Sequence, residues 1–357
     1  MKTLNLSGTP HTIGVGHGEQ AKEEVHFSLD SYEKLFWYEA GLDWKQATES
    51  AKQHIDYIED MNVDLLEEMD GIAKGAAVEF EDILTLNARS EIALTNNKHD
   101  GCTSLAVMPP LADNVYLAQN WDWRAAQSKS LFIADIKQSS NPGITMVTEG
   151  GIIGKIGMNS EGLGVCLNAL RANVKSDRLP VHLALREILN SADIKEAKHK
   201  VGNGQSASSA NYLIAQHNGE NKKAINIEAS PLGEDNIETH SRYVYHTNHF
   251  CSDFLTDKIG LDNINVTKGS FTRKQRIGEL LNHAETHGEV VDQDIIKQWL
   301  SDHENVPDSI CKHKDKGSSD YTNTISAFAI IMDLSNRHIH FRNGNPCQPN
   351  EIMNLQQ

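Results

Sequence analysis

The pair Gly101-Cys102, within the run Asp100-Gly101-Cys102-Thr103-Ser104, is the part of this sequence best suited to chemistry on its own backbone. Glycine reaches torsions barred to other residues, and an intramolecular attack on its carbonyl needs that freedom. If the Cys102 thiol attacks the Gly101 carbonyl, an N-to-S acyl shift gives a thioester that water can open. The product is an N-terminal cysteine whose α-amine, with a reference pKa of about 7.7–8.0, can act as base for its own thiol. The same cysteine also reads as a small buried hydrophobe opening a strand, its thiol inert.

Two other polar residues suit such a centre. Asp122, in Gln119-Asn120-Trp121-Asp122, follows one hairpin downstream, and its carboxylate can orient an α-amine; its plainer reading is a turn acceptor. Asn248, in His246-Thr247-Asn248-His249, follows a later strand, and its amide can donate to an oxyanion; its plainer reading is a turn residue that tolerates left-handed torsions. His246 and His249, or His338 and His340, are conceivable metal ligands, but no Cys or Glu motif of metal spacing accompanies them, and solvated or core-edge histidines are the simpler account. Gly154-Lys155-Ile156-Gly157 lacks the phosphate-loop pattern, and Gly14-Val15-Gly16-His17-Gly18 is not a dinucleotide fingerprint, so both read as turns. Cys102 carries no papain-type local signature.

The elements that must position these residues change character near residue 100. Before it, charged and apolar residues mix at helical spacing over 17–38 and 44–69, and again over 81–89. From 102 to about 170, short apolar segments alternate with turn residues, predicting strands at 103–108, 115–121, 131–136, 144–148, 152–156 and 163–167. Links this short imply antiparallel pairing. A helix over 181–192, strands at 211–215, 224–228 and 243–246, and helices over 272–283 and 292–300 follow. Strands at 325–332 and 338–342 close the chain. Helices before, between and after antiparallel sheets predict α+β layers, not a doubly wound parallel fold.

The 357 residues carry a net charge of −16, with 39% hydrophobic and 23% charged residues. That balance suits a folded globular protein and argues against a nucleic-acid partner, which needs a basic surface. Five widely spaced cysteines (102, 166, 251, 311, 347) predict reduced thiols in a cytoplasm, not a disulfide framework. The start, MKTLNLSGTP, lacks the apolar core of a signal peptide, and no stretch approaches the ~20 apolar residues of a membrane span.

Ordered motifs along nearly the whole chain resemble the acyl-coenzyme A:6-aminopenicillanic acid acyltransferases, the C45 group of cysteine N-terminal-nucleophile (Ntn) hydrolases. Gly8-Thr9-Pro10 and Gly14 to Gly18 are similar to the family's opening; Glu67 to Gly75 and Leu86-Asn87-Ala88-Arg89-Ser90-Glu91 are similar to its prosegment. Then come the motifs at Cys102, Asp122, Gly162-Leu163-Gly164, Ser209-Ala210-Asn211 and Asn248, and the close Gly344-Asn345-Pro346-Cys347. The resemblance implies a four-layer αββα sandwich with a helical N-terminal prosegment, 1–101, that becomes a small chain on autocatalytic cleavage between Gly101 and Cys102. Residues 102–357 would be the catalytic chain, the two pieces staying together as one folded unit. It implies Cys102 as nucleophile, Asp122 supporting the amine and Asn248 in the oxyanion hole. Near Ser309-Ile310-Cys311-Lys312-His313 the family usually has Arg where Lys312 stands, and Lys does not reproduce a bidentate guanidinium contact.

The expectation is thus a hydrolase or acyltransferase acting on a linear amide or thioester through an acyl-cysteine, its substrate a small-molecule acyl amide or acyl donor. It needs no cofactor and no metal, and involves no nucleic acid or membrane. The acidic balance favours amide hydrolysis over use of a phosphate-rich coenzyme A donor. The alternatives are a non-catalytic binding protein that keeps the fold, or a metal-dependent amidohydrolase using His246 and His249.

Overall fold

Alternation along the strands builds the molecule. The computed structural model describes residues 1–93, 101–219, 221–238, 242–315 and 317–357; Asp100 of the Gly-Cys motif lies outside them. The N-terminal part holds strand β1 (Thr3–Gly8) and helices α1 (Pro10–Gln20), α2 (Lys22–Ala40), α3 (Trp44–Lys52), α4 (Ile55–Ala76), α5 (Phe80–Asn87) and α6 (Arg89–Ala93). Six strands follow: β2 (Thr103–Val107), β3 (Tyr116–Arg124), β4 (Leu131–Gln138), β5 (Ile144–Glu149), β6 (Ile156–Asn159) and β7 (Leu163–Ala169). Next come α7 (Val181–Leu189), α8 (Ile194–Val201), β8 (Ala210–Asn218), β9 (Asn221–Ser230), β10 (Gly233–Glu238) and β11 (Tyr243–His246). The last third holds α9 (Asp253–Ile259), α10 (Lys268–His287), α11 (Gln293–Leu300), β12 (Thr324–Asp333), β13 (His338–Asn343) and β14 (Glu351–Gln356).

These strands form two sheets, ordered β1-β4-β5-β6-β7-β8-β9-β10 and β11-β2-β3-β12-β13-β14. The pairings are antiparallel except β1 with β4. Because side chains alternate across a strand, each sheet offers two faces. In the smaller sheet Leu105, Val107, Ala118, Ala329 and Ile331 point outward onto Ile277 and Leu281 of α10 and Ile296 and Leu300 of α11. Their neighbours Ala106, Leu117, Trp121, Phe328 and Ile330 point inward to the larger sheet, in one core with Val165, Leu213 and Ile227. The N-terminal helices and α7 cover the far face of that larger sheet. The result is the αββα sandwich, with helices outermost and two sheets face to face.

Two expectations need correction and one needs an addition. The mainly helical first hundred residues also contain a strand the sequence reading did not name: β1 alternates buried Leu4 and Leu6 with exposed neighbours and takes an edge place in the larger sheet. Residues 152–155 lie outside any strand, and β6 begins only at Ile156; the apolar run there is buried loop. Gly14 to Gly18 is no turn. It lies in α1, where a Cβ on Gly14 would fall 2.0 Å from the Glu68 carbonyl and one on Gly18 2.3 Å from that of Ile72, while Gly71 and Gly75 of α4 meet α1 the same way. Small residues four apart on both helices let two backbones cross in contact. Strands β10 and β14 and helices α8 and α9, absent from the sequence reading, are short and rich in polar residues; α8 carries only Ile194, Ala197 and Val201 on its buried face.

Candidate active site

The site forms at the head of β2, and two strand registers explain its membership. In the β2–β3 ladder Thr103 pairs with Asn120, so two residues further out Gly101 faces Asp122. On the other edge of β2, Ser104 pairs with His246, and the same extension carries Cys102 to the level of Asn248. Asp122 and Asn248 thus flank the Gly101–Cys102 bond from opposite sides. The approach on the Asp122 side is close: a Cβ on residue 101 would lie 2.1 Å from the Asp122 Cβ. No residue but glycine fits there.

Gly101, Cys102, Asp122 and Asn248 line one cavity together with Arg89, Ser90, Trp121, Trp123, Leu167, Ala169 and Arg171; its volume is about 30 Å³. Small-molecule sites usually run to several hundred Å³, so this one is too small to hold a substrate. Larger hollows of about 730 Å³ beside α8 and about 510 Å³ beside Trp37 contain none of the three residues. Chemistry, not volume, marks the site.

Burial sets its electrostatics. It pushes the Cys102 thiol up to about 12, with the Asp122 charge adding to the rise and Arg273 and Lys155 opposing it. The thiol is therefore protonated at neutral pH in the uncut chain, its Sγ 3.9 Å from the Asp122 carbonyl oxygen. Burial likewise lifts the Asp122 carboxyl to about 7, against the charge of Arg273, the Ser326 hydrogen bond and the charge of Lys312. Ser326 Oγ donates to Asp122 Oδ1 at 2.7 Å, whereas Oδ2 is buried with no hydrogen-bond partner among the described residues. That oxygen, on a carboxyl titrating near neutrality, can accept or supply a proton beside the Gly101–Cys102 bond.

Asn248 is held in one orientation. Arg273 Nη2 donates to its Oδ1 at 2.8 Å, its Nδ2 donates to Ala169 O at 3.1 Å, and its backbone N–H donates to Ser270 Oγ at 2.8 Å. Arg273 fixes which end of the amide is the donor, and one Nδ2 hydrogen is left over for an oxyanion. Lys312 reaches the site through its backbone: its N–H donates to Ser326 Oγ at 2.9 Å, and Ser326 in turn holds Asp122.

Sequence reasoning did not single out Arg273, Ser326 or a buried ionic group beneath the cavity. There Glu149 accepts from Lys155 at 2.5 Å, Arg89 at 3.1 Å, Tyr32 at 2.6 Å and Gln127 at 2.9 Å. Burial alone would raise the Glu149 carboxyl; the Lys155 and Arg89 charges overrule it and hold it well below the carboxylate range. Burial brings the Lys155 ammonium, 3.7 Å over the Trp121 ring, down to about 8. Arg89 lies in a motif already noted, but Lys155 was passed over inside a rejected phosphate loop, and nothing local ties it to Glu149.

The remaining cysteines and histidines separate. His246 Nε2 lies 2.7 Å from Glu228 Oε1 and 3.6 Å from Cys251 Sγ, while His249 Nδ1 turns to Ser270 Oγ at 2.7 Å. Among the described residues no ligand group contains both histidines, or His338 with His340. Glu228 already accepts from the backbone N–H groups of Cys251 and Ser252, and Lys274 donates to the Cys251 sulfur, so this cluster is an ion-pair network, not a cation site. Elsewhere, His303, Cys311, His313 and Cys347 bring their ligand atoms within 4.8 Å of one another. Their spacing fits no short motif, so only the fold brings them together.

A family model for acyl-coenzyme A:6-aminopenicillanic acid acyl-transferases matches residues 111–348. The chain is 33% identical over 356 residues to an acyl-coenzyme A:6-aminopenicillanic-acid-acyltransferase, 40 kDa form, of Emericella nidulans, covering 98% of this chain and 95% of that protein. A conjugated bile acid hydrolase from Clostridium perfringens is similar in structure, with a TM-score of 0.48, 12% identity, and 71% of this chain and 92% of the other covered. An N-acylethanolamine-hydrolyzing acid amidase ortholog from Caenorhabditis elegans gives a TM-score of 0.44, 16% identity, and coverage of 66% and 93%.

Proposed function

The chain belongs to the acyl-coenzyme A:6-aminopenicillanic acid acyl-transferase family, and from that premise we propose that it cuts its own Gly101–Cys102 bond and then works through an acyl thioester on Cys102. Acyl transfer or amide hydrolysis on small-molecule acyl substrates is the activity of the family; the nucleophile, the cut and the roles below are our reading.

The observation that carries it is the place of Gly101–Cys102 between Asp122 and Asn248, at a glycine with no room for a side chain. In the first step the Cys102 Sγ attacks the Gly101 carbonyl as its proton passes to a neighbouring acceptor. The peptide C–N bond breaks, the nitrogen gains a proton, and Gly101 is left as a thioester on Sγ. Water then releases the Gly101 carboxylate and regenerates the thiol. A proton acceptor is required because the buried thiol is un-ionised, and Asp122 Oδ2, unpartnered among the described residues and close against Gly101, suits that part.

In turnover the new α-amine of Cys102 takes the thiol proton, and the sulfur attacks the substrate carbonyl. Asn248 Nδ2, aimed by Arg273, donates to the oxyanion, and the leaving amine collects the proton. Asp122 faces the resulting ammonium and stabilises it. Water opening the acyl-Cys102 thioester gives hydrolysis; an amine gives transfer. We propose amide hydrolysis as the main outcome, in keeping with the acidic chain.

The test is intact-mass analysis of the purified protein. It should show residues 1–101 and a remainder of 256 residues (357 − 101), and a panel of acyl amides and acyl thioesters, with and without an added amine, should then divide hydrolysis from transfer. Only full-length chain after long incubation would sink the cleavage, and a folded but unprocessed, inactive chain would put the binding-protein reading first.

A further inference from the structure

Next to the Lys312–Ser326 link to Asp122, two thiols and two imidazoles bring their ligand atoms to one spot. Cys311 Sγ lies 3.6 Å from Cys347 Sγ and 3.6 Å from His313 Nε2; Cys347 Sγ lies 3.3 Å from His313 Nε2; and His303 Nε2 lies 3.0 Å from His313 Nε2. Thiols are weak donors, and the two imidazoles can share only one N–H between their facing nitrogens, so hydrogen bonding supplies little that would gather all four groups at one point. They do match the edges of a tetrahedron around an ion. With metal–sulfur bonds of about 2.3 Å and metal–nitrogen bonds of about 2.0–2.1 Å, those edges are about 3.8 Å between sulfurs, about 3.5 Å between S and N, and about 3.3 Å between nitrogens.

The ligands come from two separate segments. His303, Cys311 and His313 lie on the stretch between α11 and β12, and Cys347 on the turn between β13 and β14. That stretch is held by the Cys311 N–H to Asp302 O at 2.9 Å, Asn345 Nδ2 to Lys312 O at 2.6 Å and Asn120 Nδ2 to Ile310 O at 2.9 Å, while its two histidines lie at the exposed end of the cluster. Lys312, between two of the ligands, fixes Ser326 and through it Asp122.

We infer that His303, Cys311, His313 and Cys347 bind one tetrahedral zinc-class ion that clamps the Lys312–Ser326 link to Asp122. Two thiols and two imidazoles of this geometry favour zinc among the common divalent ions. Binding is balanced by loss of the two thiol protons: one divalent ion enters, two S–H bonds ionise, and two protons leave. All four positions are filled by protein, so the ion is structural and takes no part in thiol chemistry at Cys102. The inference rests on these four residues and not on the reading of Cys102.

Metal analysis of the purified full-length chain, passed through metal-free buffer, tests it without any substrate. About one zinc per chain is expected. Cys347→Ser and His303→Ala, both at exposed positions, should each lower the zinc content at least about tenfold while the chain stays folded by circular dichroism. Cobalt exchanged into the site should show the visible and near-ultraviolet bands of a tetrahedral thiolate complex, lost in Cys347→Ser. Cys251→Ala should keep the metal, which separates this site from the His246 cluster. A metal-free chain in which Cys311 and Cys347 titrate as free thiols, or are joined as a disulfide, would overturn the site. A melting temperature unchanged after removal of a bound zinc would overturn the clamp.

Discussion

Cys102 and Cys251 are set in opposite surroundings. Cys102 is buried at the head of β2 beside a carboxyl, and its thiol is pushed up to about 12. Cys251 is half-buried; burial would raise it too, but the hydrogen bond and charge of His246 and the charge of Lys274 outweigh that and lower it. His246, despite its burial, is raised to about 9 by Cys251 and Glu228. By reactivity alone Cys251 is the activated thiol, in a Cys-His-Glu arrangement familiar from nucleophilic enzymes. Yet Cys102 has what Cys251 lacks: a glycine carbonyl on its N-terminal side, a carboxylate and an oriented amide on either flank, and a backbone nitrogen that becomes an amine on cleavage. On the cleavage proposed above, the chain would gain from a nucleophile kept un-ionised until its own amine is freed.

The contrast can be broken most directly at Cys102. Cys102→Ala should abolish both self-cleavage and turnover, read by intact mass and by amide hydrolysis. A variant that stays uncut yet turns over at the wild-type rate would transfer the role to another thiol, and Cys251 would be the first candidate. Asn248→Ala removes one oxyanion donor and should cost on the order of 100- to 1000-fold in turnover; a loss under about threefold would return Asn248 to a turn residue.

Asp122→Asn sharpens the comparison through stability. A carboxyl whose folded pKa is about 7, against an ordinary 3.8, binds its proton more tightly when folded. The parent therefore loses stability as pH rises from about 4 to about 7 and is level above that. In a Cys102→Ala background, which blocks cleavage, the added Asp122→Asn change should remove this fall. The stability gap should widen across the window to on the order of a few kcal/mol, read by urea unfolding at a series of pH values. Parallel curves would mean Asp122 is ionised and satisfied when buried. The smallest effect is expected at Cys251→Ala: turnover within about threefold of wild type, but loss of the fastest-alkylated thiol at pH 7 in peptide-mapped labelling. Preferential labelling of Cys102 in the uncut chain would reverse the assignment of the two thiols.

What the sequence made legible follows from where each signal is stored. Turn residues between short apolar runs declared the antiparallel strands, and since a hairpin register is fixed by its ends, Gly101 and Asp122 were readable as neighbours. Asn248 was readable as the residue just past a strand, though not as a partner on the far side of β2. Arg273, Ser326 and the Glu149–Lys155 pair were not, because each acts across elements far apart in the chain. The four converging ligands were hidden for the same reason: His313 and Cys347 stand 34 residues apart. Gly14, Gly18, Gly71 and Gly75 were noticed as a pattern, but their meaning lies in two helices touching.

The parallel pairing of β1 with β4 has a consequence for how this protein can be made. A chain begun at Cys102 would carry the right nucleophile but leave one rim of β4 with its amide and carbonyl groups unpaired, the kind of sticky border on which proteins polymerise. It would also lack the bond from the Met1 amino group to Glu351 on β14, a tether that links the first residue to the other sheet. On the cleavage proposed above, the first hundred residues would stay in place as a seal, and co-expression of the two pieces, not the large piece alone, would be the way to keep that rim covered.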